Sequence, residues 1–146
     1  MTVDPPEIDA IEIGDEGPAV TVDAVSREDF VRYAGASGDF NPLHYDDEYA
    51  RTAGHDGVFG QGMFLAGILS RVVVQWFGVE PVSSFDVRFT SKLQPSVTIR
   101  ASGVIEDIQE ADGSHKVELG LSAETTDGTE IAAGTAVVSL PKRTDR

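Results

Sequence analysis

The sequence predicts an α+β fold in which one long buried helix is wrapped by an antiparallel sheet. Three observations lead there. A stretch of about fifteen residues, opened by Gly62 and closed by Gly78, is apolar on every face from Met63 to Leu69, so it belongs inside the molecule. Four long alternating segments follow, over 82–93, 96–108, 115–126 and 129–140, and read as strands. Asp112-Gly113 and Asp127-Gly128 stand between them, where hairpins turn. Val97, Ile99 and Ala101 share one face, as do Val117, Leu119, Leu121 and Ala123, and those faces are expected against the helix.

The elements before the long helix are shorter. "AVTVDAV" (19–25) alternates as a half-buried strand. Ser26 with Asp29 three residues later forms a capping box for a short helix whose apolar positions are Phe30, Val31, Tyr33 and Ala34, ended by Gly35 and Gly38. "DDEYARTAG" (46–54) predicts a second short helix, its three leading acids suited to the helix dipole. With no repeat or linker, the chain reads as a single domain over its 146 residues, core about 8–140, large enough to bury roughly 70% of its unfolded surface. The ends, 1–7 and 141–146, are expected to fray.

Composition removes several function classes. There is no cysteine, so disulfides, thiolate metal sites and a cysteine nucleophile are excluded. Formal net charge is −14, a field that repels nucleic acid and anionic membranes. The same acidity fits either a well-solvated surface or a salt-adapted, halophilic cytosol. No apolar run approaches the ~18 residues of a membrane helix, and "MTVDPPEIDA" has no secretory-signal pattern, so a cytoplasmic protein is expected. His44, His55 and His115 lack metal-ligand spacing, so no metal is expected. Ser37 and Ser70 lack a nucleophile-elbow context.

The chemistry-bearing stretch is "GASGDFNPLHYDDEYA" (35–50), which sets Asp39, Asn41 and His44 within six residues of a loop punctuated by Gly38 and Pro42. Pro42 pushes Asn41 toward extended backbone, which shapes the loop. A carboxylate and an imidazole aimed at one point can hold a water and move its protons, the basis of general acid–base catalysis. An ordinary turn would use the same Asp and Asn, and a loop histidine can be merely solvated, so both readings stand on chemistry alone. The second candidate is "FGQGMF" (59–64). Glycines before a buried helix let a ligand approach, and free N–H groups in its first turn can polarise a carbonyl, although bending and tight packing would need the same glycines. Phe59, Met63 and Phe64 are candidates for an acyl pocket or for plain core packing.

The run "YAGASGDFNPLHYDDEYA" resembles the hydratase motif of the MaoC-like dehydratases and (R)-specific enoyl-CoA hydratases. "GVFGQGMFLAGIL" is similar to the glycine-led start of their central helix, and "VRFTSKLQPSVTI" to the strand after it; the likeness covers about 8–140. The resemblance implies a hot-dog fold and reversible syn addition of water to a trans-2-enoyl thioester. It implies Asp39 and His44 as the catalytic pair, Asn41 as the residue orienting the water, and the Gly62 backbone N–H as an oxyanion-hole donor. It further implies an acyl thioester of coenzyme A or acyl carrier protein as substrate, no other cofactor, and a dimer with sites near the subunit interface, homodimeric or with a heterologous partner. One departure is visible: many relatives carry histidine where this chain has Gln61. A non-catalytic subunit of a heteromeric dehydratase and a hot-dog thioesterase are the rival readings, the intact Asp39/His44 pair speaking against the first.

Overall fold

The structure is a computed structural model that describes residues 2–142. Its elements are β1 (Val20–Val22), α1 (Arg27–Ser37), α2 (Asp47–Thr52), α3 (Gly62–Phe77), β2 (Val82–Phe89), β3 (Ile99–Ala111), β4 (Ser114–Thr125) and β5 (Glu130–Pro141), with 3-10 turns at Ile8–Ala10 and Pro42–His44. The five strands form one sheet in the order β1-β3-β4-β5-β2 with every neighbouring pair antiparallel. Helix α3 touches all five strands. The expected helix-in-sheet architecture is therefore present.

The capping box forms as the spacing requires. Ser26 Oγ accepts the Asp29 N–H at 3.1 Å, and Asp29 Oδ2 accepts the Ser26 N–H at 2.8 Å. Gly35, expected to help end α1, instead lies within it; the helix stops at Gly38, whose φ of 77° is the left-handed cap conformation that glycine adopts without strain. Its N–H bonds the Ala34 carbonyl at 2.9 Å. Phe30, entirely buried, carries α1 into the core.

Along α3, Leu65, Ile68, Leu69, Val72, Val73 and Phe77 are buried against Ile99, Ala101, Ile105, Val117, Leu119, Leu121, Ala136 and Val138 of the sheet. The expectation of an apolar surface closed on all sides needs correction. Met63, Gly67, Arg71 and Gln75, four residues apart, form an exposed stripe down the helix, and Met63 is 64% exposed. The physical reason is that a single sheet encloses only one side of a cylinder.

Strand ends moved where the backbone met local constraints. β2 stops at Phe89 rather than 93, because the N–H groups of Thr90 and Ser91 both turn onto the Ile131 carbonyl. β3 begins at Ile99, since Ser96 takes a positive φ of 71° and bonds the Val25 carbonyl outside the ladder. Asp112 and Gly113, at φ 46° and 82°, form the two-residue hairpin turn the sequence indicated. The described parts of the ends make a few contacts with the body of the fold. Val3 packs on Gly78, Pro141 closes β5, and the Lys142 N–H bonds the Gly113 carbonyl at 3.2 Å. Met1 and 143–146, also expected to fray, lie outside the described residues. Among the described residues no helix is long and apolar enough to cross a membrane.

Candidate active site

The loop after α1 is built from side-chain-to-backbone bonds. Asn41 precedes a 3-10 turn with Pro42 at its first position, and its Oδ1 accepts the Leu43 N–H at 3.1 Å. Asp39 Oδ1 accepts the Asn41 N–H at 3.3 Å, while the Asp39 N–H donates to Ser37 Oγ at 3.2 Å. The turn places His44 beneath Asp39, with the imidazole Nε2 3.5 Å from Asp39 Oδ2. His44 is buried, whereas the Asp39 side chain is 45% exposed. That spacing lets a single water touch both groups.

The tautomer of His44 follows from its other nitrogen. Nδ1 lies 2.7 Å from the Phe59 carbonyl oxygen, which can only accept, so Nδ1 carries a proton and donates it. In the neutral ring, Nε2 then points a lone pair toward the carboxylate. Such a pair of basic atoms is arranged to share the protons of a molecule set between them.

Phe59 ties this pair to the second candidate element. Its N–H bonds the Leu43 carbonyl at 3.3 Å, the next N–H, of Gly60, bonds the Leu93 carbonyl at 2.8 Å, and α3 starts two residues further on. His44 and the α3 N-terminus are thereby joined through three residues of chain, a reach of about 10 Å. The N–H groups of Gly62 and Met63 precede any helical acceptor, and α3 begins without a side-chain cap. They are free to face a developing oxyanion. The side of Gly62 is closed by Phe89: a Cβ there would lie 2.8 Å from ring carbon Cε2.

Gln61 is almost completely buried and donates from Nε2 to the Phe30 carbonyl at 2.9 Å, pinning the start of α3 to α1. Gln61→Ala deletes that bond and opens a cavity under the site. We expect a loss of about 2–4 kcal/mol, read from urea unfolding; an unchanged midpoint would show that the amide does not pin the helix.

The three expected acyl-pocket residues divide. Phe59 packs edge-on against His44, at 5.5 Å between ring centroids, and against His55, at 4.9 Å. Phe64 packs edge-on against Phe30 and Tyr33 in the core. Met63 projects outward and, like Phe40, Tyr45 and Phe89, is a large apolar side chain in the open. A groove of about 590 Å³ lies elsewhere, among Arg88, Glu106, Gly120 and Thr135 of the sheet, and none of Asp39, His44 or Gly62 lines it.

A carboxylate that the sequence reading passed over stabilises the far side of the loop. Asp47 accepts from the Arg27 guanidinium at 2.5 Å and from the Val58 N–H at 3.0 Å. The Arg27 bond first, and the Val58 bond second, hold its pKa below the usual carboxylate value. A depressed folded pKa contributes stability above the unfolded value, lost as pH falls through the folded one. Asp47→Asn should therefore melt below wild type at pH 7, with the gap closing as pH drops below about 3.8. A gap constant from pH 7 to pH 2 would contradict this. The signal available in the sequence was the acid at the head of α2 with an arginine at the head of α1.

Among the described residues no cluster of His, Cys, Asp or Glu could hold a metal ion. The family model described as "MaoC like domain" matches residues 12–127. A protein of Dictyostelium discoideum named probable enoyl-CoA hydratase 2 is 35% identical over 84 residues, 56% of this chain and 29% of its own length. A solved structure named monoamine oxidase regulatory protein, from Archaeoglobus fulgius, superposes at a TM-score of 0.80 with 25% identity, covering 99% of both chains. The (R)-hydratase of A. caviae involved in PHA biosynthesis superposes at 0.77 with 23% identity, covering 90% of this chain and 98% of its own. The chain spans only 11% to 31% of the length of three curated relatives it matches.

Proposed function

Since this chain belongs to the MaoC-like domain family, we propose that it is an (R)-specific enoyl-thioester hydratase, equally a 3-hydroxyacyl-thioester dehydratase. The observation that carries this reading is the 3.5 Å approach of His44 Nε2 to Asp39 Oδ2 beside the uncapped start of α3. The substrate is a trans-2-enoyl thioester of coenzyme A or acyl carrier protein. Its carbonyl oxygen accepts from the Gly62 N–H, which draws electron density from C3. A water held by Asp39 and His44 attacks C3 as one of its protons passes to the pair. The pair then delivers a proton to C2 from the same side, so hydroxyl and hydrogen add syn. Atoms balance as one water added, no electron is gained or lost, and the proposal calls for no cofactor beyond the carrier.

Asn41 enters through its amide nitrogen, because its oxygen is committed to the Leu43 N–H; Nδ2 is the group we assign to orienting the water. Met63, exposed as Phe40 and Phe89 are, supplies apolar surface that a second subunit or the acyl chain would cover. The outer edge of β2, which pairs only with β5, offers a ladder for that subunit. We propose a homodimer, with a heterologous partner of the same fold as the alternative.

The test is the purified protein with a short trans-2-enoyl-CoA, following loss of the conjugated chromophore and the chirality of the product. An (R)-3-hydroxyacyl product supports the reading. Release of free thiol without hydroxyacyl product would identify a thioesterase instead, and inertness in the presence and absence of cell-extract partners would remove the enzyme assignment.

A further inference from the structure

We propose that Lys92 and His55 form a subsite for a phosphate of the pantetheine carrier at the rim of the active site. The proposal rests on the hydratase reading above for the identity of its ligand. The Lys92 ammonium lies 2.6 Å from His55 Nδ1 and 5.3 Å from the centroid of the Phe59 ring, against which the His55 ring also packs. An ammonium can only donate, so His55 Nδ1 accepts and the ring is neutral with its proton on Nε2. The cluster therefore offers one positive charge, the remaining Lys92 N–H groups and one imidazole N–H, all acting as donors.

Lys92 differs in its partner from the three cations that are paired with carboxylates. Ion pairs among the described residues join Arg27, Arg32 and Lys142 to carboxylates. Lys92 is held instead by a neutral imidazole and a ring face, which position its charge without neutralising it. Its place matters too, because Phe59, whose ring the cluster flanks, also supplies the carbonyl acceptor that fixes His44. On a chain of net charge −14, a polyanionic carrier is repelled over most of the surface. A cation pre-positioned against the Phe59 ring gives it a point of attraction, in the form of charge-assisted hydrogen bonds to phosphate oxygens.

The test is calorimetric binding of coenzyme A, 4′-phosphopantetheine and pantetheine to the full chain, as wild type, Lys92→Gln and Lys92→Arg. Lys92→Gln is expected to weaken coenzyme A binding about tenfold, with Lys92→Arg near wild type and pantetheine affinity unmoved. An equal drop with 4′-phosphopantetheine assigns the contact to the phosphate next to pantetheine. A drop confined to coenzyme A assigns it to the nucleotide phosphates; both outcomes support the subsite. An unchanged coenzyme A affinity, an equal loss with pantetheine, or no coenzyme A binding by wild type overturns it. Should Lys92→Gln fail to fold, the wild type decides alone: its coenzyme A affinity must fall between 50 and 500 mM salt, and insensitivity overturns the inference. No turnover is involved, so a protein that binds coenzyme A through Lys92 yet hydrates nothing would keep the subsite and lose the proposed reaction.

Discussion

Asp39→Asn is expected to slow hydration of a short enoyl thioester by about 10² to 10⁴, with the fold intact. The substitution is nearly isosteric, and the amide oxygen can still accept the Asn41 N–H that now goes to Oδ1, so the turn keeps its shape. What disappears is the carboxylate 3.5 Å from His44 Nε2 that the proposed mechanism uses to take a proton from water. Because the proposed reaction has the two groups act on one molecule, adding His44→Ala should cost little more than either change alone. Turnover under saturating substrate, with circular dichroism and melting as controls for folding, is the measurement. A variant that retains the wild-type rate would show that the carboxylate is a turn former and nothing else.

Gly134→Ala is expected to destabilise the protein by at least about 3 kcal/mol, at the upper end of overpacking effects. Gly134 stands opposite Val87 in the β2·β5 ladder, and a Cβ there would lie 2.2 Å from the Asp86 carbonyl oxygen. The obstacle is backbone, which cannot rotate away as a side chain does. Relief requires β2 to lift from β5, and among the described residues β2 has no other strand neighbour. Urea unfolding would show the loss, and hydrogen exchange should place it in β2. A wild-type midpoint would mean that the strands separate there without penalty.

Features set by neighbouring residues were legible in the sequence. The Ser26/Asp29 box, the two Asp-Gly turns and the limits of α3 at Gly62 and Gly78 depend on a few adjacent groups, and each was readable from them. The proximity of Asp39 and His44 was legible as a possibility because the loop is short. The resemblance to a known motif, not chemistry, turned that possibility into an expectation. What escaped depends on residues far apart in the chain. The Phe59 carbonyl that fixes the imidazole is fifteen residues from His44. The Gln61 bond to Phe30 spans thirty-one positions, and Lys92 meets His55 across thirty-seven. No periodicity records such meetings, because backbone carbonyls carry no sequence identity and a lysine beside a histidine leaves no spacing rule.

The groups assigned to the reaction, from Asp39 to Gly62, lie in one continuous run of the chain, while the four strands that shelter α3 follow in another, from Val82 onward. Bond-making and enclosure are thus written in separate stretches of the gene. The strands can drift in bulk and polarity while the loop that carries Asp39 and His44 keeps its hydrogen bonds. Under the proposed function, enclosure and chemistry are free to evolve at different speeds.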